Sequence, residues 1–437
     1  MIEKLQKYGL ATLFCLCVLS AFYVTYRVVS SEFGGDACPI FYGSRLLLQG
    51  KDPYNLNNMH AAYRDEPVAM CTWLIHENSR PYLYPPIMAV LVSPAAVWSP
   101  WIGLHVFTYL NIILFIIFAI SLGLIGGKSW RAEYRYAIAL FTLLNPSTMR
   151  CLLYGQTTIA ICLILLGVVR SLRSNNTTLS GILLGLSLAK PTLVVLLLPV
   201  YLFKGRWKAG AIGLCLFVFI SILLIFPVGL KQAYSDYRDQ IRIIVQPGNE
   251  MYPGPSAKFD TYTLIHLDRL AYVLTGQRDL YAVPLGKGLK IIFSLLLLWS
   301  LWKLCRRSSM VWHPLIFCVV ILGGLVLFYH RYYDLTALSL VLYGLMDYRI
   351  RKPKAQPFLW VVCMFTLCLT VFGTPGTLWS LPVDRLLISM GFNYGLFYTS
   401  LILAVLTALV CILAIKDKAE ECAEDVVTPL RVFAQEK

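Results

Sequence analysis

Charge is scarce in this chain. Only 14% of its 437 residues are Asp, Glu, Lys or Arg, against about a quarter in an ordinary soluble domain. That shortage excludes a soluble globular protein. Metal-type cysteine spacings are missing as well. There are 13 cysteines, but none sits in a CxxC pair or a Cys/His spacing that would suggest zinc. Most fall inside apolar runs, where cysteine acts as a small hydrophobe. A basic stripe interleaved with exposed aromatics is also absent, so the formal net charge of +15 does not point to nucleic acid.

What is abundant is apolar length. Hydrophobic residues make up 58% of the chain, and mean hydropathy is +0.67. They are gathered in runs of roughly 15–24 residues, near the length that spans a bilayer core of about 30 Å. A β-barrel would need short alternating segments instead. The fold class is therefore an all-α polytopic membrane protein. The runs lie near 9–29, 103–126, 136–152, 157–171, 179–190, 192–203, 208–227, 288–303, 312–329, 335–347, 357–373 and 396–416, about twelve spans. Lys4 and Lys7 precede the first, but it is too long for a signal peptide and no cleavage site follows. Lys190-Pro191 separates two short runs, proline ending one helix and starting the next. Segment 86–100, bounded by prolines, is short for a span and is read as re-entrant or surface-lying.

Basic residues set the orientation. With the N-terminus in the cytoplasm, the inner loops are "KSWRAEYR", "RSLRSNN", "FKGRWK", "KLCRR" and "DYRIRKPK", each with at least two basic residues. Two long loops then face outward, 30–102 and 228–287. Loops this long usually carry function. The first is expected to hold two surface helices, about 37–48 and near 58–76. Its Cys38 and Cys71 can pair if the loop faces an oxidising compartment. Residues 1–416 read as one transmembrane domain and 417–437 as a mixed-charge cytoplasmic tail.

The polar outliers collect on the outer side. They are Asp36 after the first run, "RPYLYPP" at 80–86, "YGQTT" at 154–158, "AKP" at 189–191 and "FYHRYYDL" at 328–335. Ionisable groups at membrane depth are expensive and therefore suspect as functional. Each also has a plainer reading. Asp36 fits a helix N-cap; Arg80, Tyr82 and Tyr84 fit an interfacial belt; Gln156 fits a helix end. Lys190 fits a snorkelling side chain, and His330, Arg331 and Asp334 fit a structural ion cluster. Taken together, one acid, several cations and tyrosines at a bilayer surface suit glycosyl transfer from a lipid-phosphate sugar. A lone carboxylate serves as general base for a hydroxyl, cations hold a departing phosphate, and aromatic rings hold sugars.

The stretch "GGDACPIFYGSRLLLQGKDPYN" resembles the first loop of the polyprenyl-phosphate-mannose-dependent glycosyltransferases, glycosyltransferase family 87, which have the GT-C membrane fold. So do "YLYPPIMAVLVSP", "LLNPSTMRCLLYGQTT", "GLSLAKPTLVVLLLP" and "FYHRYYDL", in that order. One departure is that the family often carries Asn two residues after its Gly-Gln, where Thr158 stands here, which leaves any polar contact from that position open. The resemblance implies a GT-C-type fold in a bacterial inner membrane, with the active site on the outer face. It implies inverting transfer of mannose or arabinofuranose, with Asp36 as base and a lipid or glycan acceptor. Lys190, His330, Arg331 and Arg80 would hold the donor phosphate. Tyr82, Tyr84, Gln156, Tyr333 and Asp334 would contact sugar or acceptor. No cofactor is expected, and no carboxylate cluster demands a metal. Two other classes stay open: a transporter of lipid-linked sugars or polar solutes, and a scaffold of an envelope-assembly complex. Polar residues gathered at one face, and the lack of paired repeats, weigh against the transporter.

Overall fold

A computed structural model describes residues 36–68, 82–125, 130–244, 265–275, 284–307, 313–328, 330–352 and 397–417, with a few isolated positions such as Cys71. The expected spans 9–29 and 357–373, apart from isolated positions, and the tail beyond Asp417 lie outside the described residues, as do Gly34, Gly35 and Arg80. Every regular element among the described residues is a helix.

The first long loop holds α1 (Ala37–Leu48) and α2 (Leu56–Asp65). Helix α2 ends short of the expected boundary because Pro67 follows, and the residue before a proline is pushed out of the helical region. Cys38 and Cys71 are joined by a disulfide. Closing a loop of 33 residues' separation stabilises the folded state by about 3–4 kcal/mol in the chain-entropy picture. Segment 86–100 forms α3 (Met88–Ala96), with Pro94 inside it and its buried face against α1. The Arg45 guanidinium of α1 donates to the Ala96 and Trp98 carbonyls and pairs with Glu66 at 3.3 Å, tying α1, α2 and α3 together.

Among the described residues, four helices are long and apolar enough to cross a membrane by themselves: α4 (Pro100–Ile125), α11 (Trp207–Ile225), α14 (Pro284–Arg307) and the Thr399–Lys416 stretch of α17 (Phe397–Lys416). The other apolar runs among the described residues are shorter or broken. The run 136–152 is two helices, α5 (Ala132–Leu144) and α6 (Pro146–Leu153). The break falls at Asn145, whose side chain accepts from the Ser147 N–H at 2.9 Å, with Pro146 opening α6. Helix α6 then meets α7 (Thr158–Arg173) at a bend of 117°, and the two together make a fifth candidate crossing. Helix α8 (Thr177–Ser187) is followed by the short α9 (Pro191–Val194) and α10 (Leu197–Phe203), so Lys190-Pro191 does separate two helices. Helix α12 (Leu230–Ile244) and α13 (Leu267–Thr275) belong to the second long loop.

Helix α15 (Pro314–Leu327) is buried along its whole length. It is all-round apolar because neighbours cover every face. A 3₁₀ turn, Tyr332–Ala337, leads from it to α16 (Leu338–Arg351). A Cβ at Gly324 would stand 2.9 Å from the Thr192 and Leu193 carbonyl oxygens, so only glycine lets α9 lie this close to α15. That approach brings Lys190, just before α9, beside the residues just after α15.

Charged groups settle at two ends. At one, the Asp347 carboxylate accepts from Trp130 Nε1 at 3.0 Å and Arg351 Nε at 3.2 Å, with Arg173 at 3.6 Å. Beside it Asp417 takes Lys352 at 2.6 Å, Tyr348 at 2.9 Å and His313 at 3.1 Å, and Arg307 donates to the Ile415 carbonyl. Burial opposes the Asp417 charge, but His313 and Lys352 overcome it and hold the carboxyl down at about 2. These contacts join four of the five basic loops. Helix α7 runs from Arg173 at this end to Thr158 at the other, about 22 Å away.

Candidate active site

Asp36 occupies the N-cap position of α1, yet its side chain does not cap the helix. The carboxylate turns to Gln156 instead, whose Nε2 donates to Oδ2 at 2.9 Å. Gln156 is buried, and its Oε1 accepts from the Tyr84 hydroxyl at 3.3 Å. The cap reading is thus corrected by a competing donor 120 residues away in sequence.

Gly155 makes this contact possible. It sits at φ +65°, in the left-handed region, at the turn between α6 and α7. A Cβ there would lie 2.4 Å from the Ala37 Cβ, so the α6–α7 turn is pressed against the start of α1. Gly155→Ala should therefore cost roughly 2–4 kcal/mol of stability, from backbone strain plus a core clash. It should also lower turnover by separating Gln156 from Asp36. Thermal unfolding and steady-state rates check both, and a variant as active as wild type would show that this contact does not position the acid.

Tyr84 arrives from the other side. Its neighbour Tyr82 is fully buried over Gly43, where an added Cβ would come within 2.1 Å of the ring. The Tyr54 hydroxyl donates to the Tyr84 carbonyl at 2.8 Å. Burial, then the charges of Asp36 and Asp334, push the Tyr84 phenol well above its ordinary value. It stays protonated, a hydrogen-bond donor close to both acids.

The second half of the site is built around Asp334. Oδ1 accepts from Lys190 Nζ at 2.5 Å and from Thr158 Oγ1 at 2.6 Å, and Lys190 also donates to Thr158 at 2.7 Å. Oδ2 meets His330 Nδ1 at 2.8 Å. All four residues are buried. Burial opposes the Asp334 charge, but Lys190 and His330 outweigh it and hold the carboxyl well below the usual range. The Asp334 contact places a proton on His330 Nδ1. His330 Nε2 is buried with no hydrogen-bond partner among the described residues. Thr158, where the family pattern often has Asn, does make a polar contact.

Lys190, His330 and Asp334 are thus brought together, and Gln156 and Tyr84 are brought to Asp36. Arg331 is buried beside them, its carbonyl accepting from the Asp334 N–H at 2.9 Å. The Tyr333 side chain, like Arg80, lies outside the described residues.

Sequence reasoning missed His266 and Asp268. The Ile265 N–H donates to the His330 carbonyl at 3.2 Å, which brings the end of the second long loop to the site. His266, buried, lies 3.3 Å from Asp268, which pairs with Lys290. The available signal was one of only six histidines, placed in a long outer loop two residues before an acid. Nothing in the sequence joined it to residue 330. Among the described residues, no three His, Cys, Asp or Glu side chains gather as a metal site would require.

No curated protein matches the chain. The family model for glycosyltransferase family 87 matches residues 82–309, more than half of it, including Tyr84, Gln156 and Lys190. With its apolar helices, its buried ion cluster and this match, the chain belongs to glycosyltransferase family 87 and is a membrane glycosyltransferase.

Proposed function

We propose that this enzyme moves a sugar, mannose in the first instance, from a polyprenyl-phosphate donor to a hydroxyl of a lipid-linked or envelope glycan acceptor. The observation that carries the reading is the pairing of a half-buried acid, Asp36, with a buried Lys190–Asp334–His330 cluster in which His330 Nε2 has no hydrogen-bond partner among the described residues. Asp36 takes the acceptor proton as the acceptor oxygen bonds to the anomeric carbon. The bond from that carbon to the phosphate oxygen breaks, and its electrons leave with polyprenyl phosphate. Lys190 and His330, with Arg331 next to His330 in sequence and Arg80 from the first long loop, balance the charge that develops on that phosphate. Asp334 already accepts from three donors, so its part is to position Lys190 and His330 rather than to bind sugar. Tyr84 and Gln156 hold the base, with Tyr82 beneath them and Tyr333 beside Asp334 in sequence. Arabinofuranose is the second donor sugar, since family membership leaves the sugar open. Transport alone is set aside by that membership.

The site is assigned to the outer face of a bacterial inner membrane, in a GT-C-type fold of about twelve spans. Two observations support the side. Four basic loops meet at the opposite end, and a disulfide staples the first outer loop, as suits an oxidising compartment. The stereochemistry of the product tests the single displacement. A β-linked donor should give an α-linked product, seen by NMR of the new linkage. A β-linked product would require a second nucleophile and would overturn the role given to Asp36.

A further inference from the structure

The stretch "KDPYN" at 51–55 is not used by the chemistry above, yet it forms the seat of α12. Tyr54 packs edge-on against Tyr237 with ring centroids 5.3 Å apart. Gln240 Nε2 donates to the Tyr54 carbonyl, and Asn55 Nδ2 donates to the Asp236 carboxylate at 3.2 Å. Ala233 and Gln240, on one side of α12, are buried. The rest of the helix stands outside this seat, and its side chains are sorted by chemistry.

Leu230, Tyr234, Tyr237 and Ile241 recur at helical spacing and make one strip. Tyr234 is 68% exposed and Leu230 51%. Lys231, Arg238 and Arg242 make the next strip around the helix, and all three are exposed. Asp239 lies 3.5 Å from Arg238 and 3.4 Å from Arg242. Exposed pairs of this kind are weak, and one acid leaves three cations in excess, so the strip can take further anions.

The helix before it sets the depth of α12. Helix α11 starts at Trp207, between Arg206 and Lys208, and runs 19 residues, about 28 Å, close to the thickness of a bilayer core. Much of its surface is apolar and exposed, Phe219 and Leu223 included, and Phe226 just after it is exposed as well. Gly229, at φ +92° in the left-handed region, ends it with its N–H on the Ile225 carbonyl at 3.1 Å and turns the chain. Leu230 follows at once. The aromatic strip of α12 therefore begins where a lipid-facing span leaves the hydrocarbon, the level that favours tyrosine rings with cations beside them.

We propose that α12 lies on the membrane surface and binds anionic lipid, with Leu230, Tyr234 and Ile241 in the acyl boundary and Lys231, Arg238 and Arg242 on headgroup phosphates. Because Tyr54 in its seat also donates to the Tyr84 carbonyl, the lipid contact would steady the Tyr84 side of the active site, a consequence that rests on the chemistry proposed above.

The test uses the full chain in nanodiscs of mixed phosphatidylcholine and phosphatidylglycerol, with the photoreactive residue p-benzoylphenylalanine placed at Tyr234. On irradiation it should attach to lipid, and phosphatidylglycerol should exceed its share of the bilayer about fivefold, the worth of one cation at an anionic surface. Placed at Gln232, on the far side of α12, the same probe should attach to little lipid. Lys231→Gln, Arg238→Gln and Arg242→Gln together should return the two lipids to their bulk ratio without lowering the melting temperature; should that variant fail to fold, the ratio with all three cations in place decides alone. Attachment from Tyr234 to a second copy or to another part of the chain, no attachment at all, or lipid attached in the bulk ratio would overturn the proposal. None of these readouts needs turnover, so they stand apart from the role given to Asp36.

Discussion

Asp36→Asn should lower transfer by roughly 10²–10⁴-fold, the usual contribution of a positioned general base. The substitution is nearly isosteric. Asparagine keeps an oxygen that accepts from Gln156 Nε2, so the α6–α7 turn stays against α1. Folding and donor binding should therefore be close to wild type, and the loss should fall on turnover. This split separates the catalytic reading from a structural one. An acid that only organised the loop would give up stability and keep turnover in whatever protein survived. Rates at saturating donor, set beside donor binding to the same nanodiscs, measure the two separately.

The second large effect is expected at Lys190. Lys190→Met removes the cation from a buried pair and leaves the Asp334 charge with Thr158 and His330 alone. Breaking a buried pair in this way costs about 3–5 kcal/mol, because the remaining charge stays out of water uncompensated. The variant should be hard to purify folded and should bind donor poorly. The pair Lys190→Met with Asp334→Asn is more informative. It removes both charges and should recover most of the stability. It should still transfer at least about 10²-fold more slowly, since the phosphate has lost its ammonium. A double variant with wild-type turnover would make the Lys190–Asp334 pair a fold element only.

Much of this was legible from the chain, and the limits have physical causes. Apolar runs mark helices well, because a helix buried or lipid-covered on all sides has no polar face to disguise it. Helix α15 is the clearest case. Internal breaks are harder to see. The Asn145-Pro146 break vanishes into the mean hydropathy of its run, although an Asn-Pro pair is itself a helix-start signal. Bilayer-length counting also overreads short helices: α8, with 11 residues, is about 16 Å long.

The site shows the same division. Asp36, Lys190, His330 and Asp334 stood out because ionisable residues are rare at such positions. Their partnerships did not, because hydrogen bonds such as Gln156 to Asp36 join residues 120 positions apart. The cap expected of Asp36 is a local rule, and a distant amide displaced it. The sequence left a polar contact at Thr158 open, and its hydroxyl is shared by Lys190 and Asp334. Pairing of Cys38 with Cys71 could be suggested from their shared loop, while the seat that "KDPYN" makes for α12 needed the fold.

The central claim is that Asp36 and the Lys190–Asp334–His330 cluster act on one lipid-phosphate donor. The most direct test gives purified wild type in nanodiscs a polyprenyl-phosphate mannose with labelled sugar and a panel of lipid and glycan acceptors. The account predicts label in an acceptor with matching release of polyprenyl phosphate, and neither event with Asp36→Asn. Label transferred equally well by Asp36→Asn, or a bound donor that gives up its sugar to no acceptor, would contradict it.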